Sequence, residues 1–133
     1  MAYRWHPLAG MVAVFVALLL AGCQHVPGFR RTPARPPLGA LHPFIATAYA
    51  HAGITASGVP TRRGLVAADL KVLPIGTRIF VREAGPYSGE YLVADTGSAI
   101  EGYEIDIYME SRTEALRFGR RPVWVEVLRY GEP

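Results

Sequence analysis

Apolar positions along the chain fall into two regimes. From Leu8 to Gly22 they form one uncharged run of fifteen residues, broken only by glycines. That is shorter than the roughly twenty residues a membrane-spanning helix needs, and it has the length of a signal-peptide core. Beyond Leu41 the apolar residues come in short β-type runs with turn residues between them: Phe44 to Tyr49, Thr77 to Arg82, Glu90 to Ala94, Glu104 to Tyr108 and Val123 to Leu128. Short strands at this spacing predict a mainly β barrel or sandwich. One helix is predicted after Ser111, which forms a capping box with Glu114. Ala115, Leu116 and Phe118 give that helix an apolar side and Gly119 ends it. At two turns it is stable only when packed, which places it across one end of the barrel.

Between the two regimes, Gln24 to Ala40 holds Pro27, Pro33, Pro36 and Pro37 with Arg30, Arg31 and Arg35, and has neither period. It reads as an extended linker. The expected organisation is therefore a leader over 1–22, a linker over 23–41 and one folded domain over 42–133. The formal net charge of +3 belongs to the leader and linker. From His42 to Pro133 there are ten Arg or Lys against eleven Asp or Glu, which removes the case for a nucleic-acid footprint on the folded domain.

The leader ends in Leu20-Ala21-Gly22-Cys23, which resembles the lipobox of bacterial lipoproteins. That resemblance implies lipid on Cys23, hence membrane attachment, and removal of 1–22 leaves 111 residues, enough for one modest core. Cys23 is the single cysteine, so no disulfide forms within the chain and no thiol is left for catalysis. No retention aspartate follows it, so in a cell with an outer membrane that membrane is the expected destination. The histidines at 6, 25, 42 and 51 lack metal-ligand spacing, and there is no nucleophile elbow, phosphate loop or dinucleotide fingerprint. Neither a metal nor a cofactor is expected.

Candidate chemistry lies in polar residues that local propensity does not explain. In Glu104-Ile105-Asp106-Ile107-Tyr108 the isoleucines share one face, which puts Asp106 on the other with Glu104 and Tyr108. Aspartate is depleted in strands, so Asp106 marks either a functional site or an ordinary solvated face. Asp95 ends an apolar strand ahead of Thr96-Gly97-Ser98, where an aspartate commonly caps a turn. Asp69 precedes Leu73-Pro74-Ile75-Gly76-Thr77 and has the same turn-fixing alternative. Thr55, Ser57 and Gly58 sit in a loop whose hydroxyls and backbone amides would meet a polar ligand, or do no more than turn the chain.

In order, Thr47-Ala48-Tyr49, Thr55-Ala56-Ser57-Gly58, Gly64 to Asp69, Leu73 to Thr77, Asp95 to Ile100 and Ile105 to Tyr108 resemble the three-aspartate domain family of cell-wall enzymes. That family is similar to the catalytic barrel of a membrane-bound lytic transglycosylase. The resemblance implies a six-stranded double-psi β-barrel with one or two short helices. It implies peptidoglycan glycan strands as substrate and cleavage of the β-1,4 bond between N-acetylmuramic acid and N-acetylglucosamine, leaving 1,6-anhydro ends. Asp106 takes the place of the single acid/base and Asp95 assists. Asp69, Thr55, Ser57, Gly58, Thr47 and Tyr49 would bind substrate. An acid/base at Asp106 requires a raised pKa, for which burial among the isoleucines and the charge of Asp95 are the expected sources. Glu101 stands where the family often has lysine, and the chain is too short for a second groove wall. The competing reading is a lipid-anchored module that binds peptidoglycan without cleaving it.

Overall fold

The computed structural model describes residues 31–132. The expected leader and the expected lipidation site, Cys23, lie outside the described residues. Six strands carry the fold: β1 (Leu41–Tyr49), β2 (Leu65–Ala68), β3 (Arg78–Arg82), β4 (Gly89–Asp95), β5 (Glu104–Tyr108) and β6 (Arg121–Arg129). One helix, α1 (Arg112–Phe118), and a 3-10 turn at Gly85–Tyr87 complete it. The strands close into a barrel in the order β1-β5-β2-β4-β3-β6. The β1–β5 and β2–β4 seams are parallel and the other four antiparallel. Closure leaves no unpaired sheet edge among these strands.

Alternation decides which side chains fill the ring. Phe44 and Ala46 of β1, Val66 and Ala68 of β2, Ile79 and Val81 of β3, Val93 of β4, Ile105 and Ile107 of β5, and Val123, Val125 and Val127 of β6 form one buried cluster. Each of the valine, isoleucine and phenylalanine side chains among them contributes about 1.5–3 kcal/mol of transfer free energy when fully buried. The residues between them face outward, and the candidate chemistry is on that outer surface.

Five of the six strands coincide with the short runs predicted from the pattern. The exception is β2, whose Leu65-Val66-Ala67-Ala68 is buried throughout and has no alternation to reveal it. A strand covered on both faces reads as a plain apolar run, and four residues are too few to separate it from a helix fragment. The helix forms as expected: Ser111 Oγ accepts the Glu114 amide at 3.3 Å, and Gly119 ends it at φ 64°. Its apolar side is narrower than predicted. Ala115 and Phe118 are buried, whereas Leu116 is 72% exposed, because one residue beyond Ala115 turns the side chain about 100° off the packed stripe.

The linker is also shorter than expected, because residues 32–40 lie against the barrel. Tyr103 Oη donates to the carbonyl of Ala34 at 2.8 Å, Tyr130 Oη donates to that of Pro36, and Arg35 Nε donates to that of Lys71 at 3.3 Å. The Arg35 guanidinium also lies over the Tyr130 ring, 5.7 Å from its centroid. Pro36 is buried, and Leu38 bridges Val127 of β6. This arm is therefore part of the folded domain. Removing residues 1–40 is expected to lower the thermal midpoint by about 10 °C relative to removing 1–30, roughly 2 kcal/mol for a domain of this size, as read by thermal unfolding.

Candidate functional site

Strand register brings the candidate residues into one row across the outer wall. Thr47 of β1 stands opposite Asp106 of β5, Asp106 opposite Ala67 of β2, and Ala67 opposite Asp95 of β4. The last pairing depends on a register shift between Val66 and Ala67, which sets Asp95 rather than Ala94 against Ala67. With strands about 4.8 Å apart, the backbones of Asp95 and Asp106 are roughly 10 Å from one another. Alanine between them leaves space instead of a side chain. That space belongs to an open cavity of about 350 Å³ whose walls are Tyr49, His51, Ala67, Asp95, Asp106 and the loop over 96–100. Ala67, His51 and Ile100 were not among the candidate site residues, since nothing in an alanine, a loop histidine or an isoleucine marks a cavity wall.

Asp106 is partly buried. Its Oδ1 accepts from Thr47 Oγ1 at 3.0 Å. Burial raises its pKa above the ordinary carboxylate value, and the Thr47 hydrogen bond opposes the rise. Asp95, expected to contribute through its charge, is not a cause of the shift. It lies two strands away, and its Oδ1 accepts the amides of Ala56 and Thr96, both at 2.9 Å. Glu104, on the same outer face of β5, is occupied by Arg120 at 2.6 Å. Asp106 is thus the carboxylate of β5 that faces the cavity without a cation.

Two groups of expected substrate-binding residues lie elsewhere. Asp69 borders a separate cavity with Arg31, Pro33, Lys71, Glu101 and Gly102. Its Oδ1 takes the Lys71 amide at 3.0 Å and its Oδ2 the Gly102 amide at 2.8 Å, so both oxygens fix backbone. The loop at Thr55, Ser57 and Gly58 has no free amides of the kind anticipated. Thr55 N donates to Val59 O, Ala56 N to Asp95, Ser57 N to Ala94 O and Gly58 N to Thr55 O. Thr55 Oγ1 gives its one proton to Val59 O at 2.8 Å, so the 2.9 Å contact between the two hydroxyls has Ser57 donating. This loop holds Asp95 at the rim and is itself closed. Among the described residues no three His, Cys, Asp or Glu side chains gather as metal ligands.

Thr47 and Tyr49 do reach the site. Tyr49 packs edge-on against Tyr108, with ring centroids 5.4 Å apart. Burial pushes its pKa up to about 12, helped by the charges of Asp95 and Asp106. For Asp106 the raised folded-state pKa means that protonation stabilises the fold. That contribution is full below the ordinary value of 3.8 and is lost as pH rises through the folded value. Asp106→Asn keeps the shape and removes the charge. It is expected to raise the thermal midpoint at pH 7, with the gain over wild type disappearing below pH 3.8, as thermal unfolding across pH will show.

Residues 64–129 match the family described as 3D domain. The cell wall-binding protein YocH of Bacillus subtilis is 35% identical over 80 residues, covering 57% of this chain and 26% of that protein. YabE of the same organism is 33% identical over 89 residues, covering 64% of this chain and 21% of that protein. The chain therefore spans about a quarter of the length of these relatives. Among solved structures, the lytic transglycosylase MltA from Escherichia coli aligns with 26% identity and a TM-score of 0.49, over 60% of this chain and 28% of that one. Residues 64–129, a span that includes Asp69, Asp95 and Asp106, thus match the 3D domain family.

Proposed function

We propose that the chain is a peptidoglycan lytic transglycosylase in which Asp106 is the single general acid and base. The observation that carries this reading is the half-buried Asp106 on the wall of an open cavity, its protonated form favoured by burial. A carboxyl of that kind gives its proton to the bridging oxygen as the bond from the muramic C1 breaks and positive charge develops there. The resulting carboxylate takes the proton of the C6 hydroxyl as that oxygen attacks C1. The products are a free hydroxyl on one side and a 1,6-anhydro ring on the other, and no water is consumed. A hydrolytic glycosidase needs a second carboxylate to activate water or attack the sugar. Asp95 is poorly suited to that part, since one of its oxygens carries two backbone amides that hold it at the rim. Thr47 would orient Asp106, and the 96–100 loop would cover the bound sugar.

The two parallel seams and the closed ring support the double-psi form of the barrel. We extend the proposal to a cell-envelope location with lipid on Cys23, on the strength of the Leu20-Ala21-Gly22-Cys23 sequence. Metabolic labelling with a palmitate analogue is expected to mark the chain and to be abolished by Cys23→Ala.

A second reading, binding without cleavage, is favoured by one fact: the relative YocH is named for cell-wall binding. Mass spectrometry of fragments released from purified peptidoglycan separates the two. Wild type is expected to release anhydro-muramyl products, and Asp106→Asn to lower the rate by at least about 100-fold, the lower end for loss of a general acid. Reducing ends would identify a hydrolase, and co-sedimentation with peptidoglycan without products would identify the binding module.

A further inference from the structure

The assignment of Asp106 leaves one buried group without a task. Tyr49 ends β1, and its hydroxyl oxygen has neither accessible surface nor a hydrogen-bond partner, the one such side-chain atom among the described residues. Other tyrosines of the domain are satisfied: Tyr91 donates to Tyr87 O at 2.6 Å, Tyr103 to Ala34 O at 2.8 Å, and Tyr130 to Pro36 O. The edge-on contact with Tyr108 needs only the ring, which phenylalanine also has. An unsatisfied buried hydroxyl is unfavourable, so packing does not account for the oxygen.

Its position does. Tyr49 pairs with Tyr108 and Thr47 with Asp106 along the β1–β5 seam, so Tyr49 and Asp106 are diagonal neighbours on the outer face. Diagonal neighbours are within reach of an aromatic side chain. Both line the same cavity. Thr47 serves Oδ1 of Asp106, and among the described residues no protein group donates to Oδ2. A neighbour able both to accept and to donate serves a carboxyl in its protonated and its ionised form alike, as Thr47 does at Oδ1. Backbone amides and lysines only donate, whereas a hydroxyl does both.

We propose that Tyr49 is a positioning residue whose hydroxyl pairs with Oδ2 of Asp106, accepting from the acid and donating to the carboxylate. The pairing forms by side-chain rotation within the cavity, without a change of strand register. Its purpose rests on the acid/base reading of Asp106, but its existence is measurable without turnover. The phenol remains neutral across the working range, its pKa being about 12. The other groups facing Asp106 are Thr47 from β1, His51 from the segment after it, Asp95 with the 96–100 loop from the end of β4, and Tyr108 on β5 itself.

Tyr49→Phe in the full chain keeps the ring and deletes the oxygen. Carboxyl carbon NMR of wild type and variant reads the Asp106 titration directly. Donation to a carboxylate is stronger than acceptance from a carboxylic acid, so the Asp106 pKa is expected to rise by about one unit in the variant. In the peptidoglycan assay the fall of activity at high pH is expected to move upward by the same amount. An Asp106 titration unmoved to within about 0.2 unit, or a uniform loss of rate with no movement along the pH axis, overturns the proposal. A shifted titration in a chain that releases no fragments would uphold the pairing and remove only the catalytic reading.

Discussion

Closing six strands into a ring forces each strand to divide its residues between a filled interior and an outer wall, and β5 shows how strictly. Ile105 and Ile107 are inside the core cluster, and Asp106 between them has no alternative but the outside. The strand is held from both flanks, parallel to β1 and antiparallel to β2, and both registers agree on the same parity. A slip of one residue would exchange the isoleucines for the aspartate and bury its carboxyl in an apolar core, at a penalty the domain would not survive. The same two registers bring Thr47 and Ala67 to either side of Asp106. The site is thus a by-product of the packing that closes the barrel.

The three aspartates within residues 64–129 divide their labour. Asp69 spends both oxygens on amides, one of them at Gly102, at the far end of the loop that leaves β4. Asp95 spends one on two amides, at the near end of that loop and on the loop over 54–60. These two carboxylates hold the two ends of that loop, and only Asp95 stands at the cavity's rim. Asp106 alone is served by a hydroxyl instead of amides, and burial keeps its proton available. The division follows from what each carboxylate is bonded to.

Much of this was legible in the chain because period-2 alternation survives wherever one strand face is solvated. That is why β5 and the outward position of Asp106 could be read directly. It failed at β2, buried on both faces, and it overstated α1, where Leu116 is apolar but points away from the core. Thr55, Ser57 and Gly58 have the composition of an open polar loop. Their amides are consumed by partners as distant in sequence as Ala94 and Asp95, which no local pattern encodes. The unsatisfied oxygen of Tyr49 is likewise a property of surroundings: Tyr91, Tyr103 and Tyr130 have the same chemistry and found acceptors.

The arm before β1 changes what the proposed anchor means. A linker running from Cys23 to Leu41 would let the domain range about 60 Å from the lipid. With the arm from Thr32 onward held to the barrel through Tyr103, Tyr130 and Lys71, eight residues remain between the arm and Cys23. However those residues are arranged, they span at most about 30 Å, close to the width of the domain itself. The arm also abuts the loop that forms the cavity wall, since Pro33 lies against Gly102 and Gly102 is held by Asp69. On the proposal of lipid at Cys23, then, the arm and the loop it abuts are held within about one domain's width of the lipid.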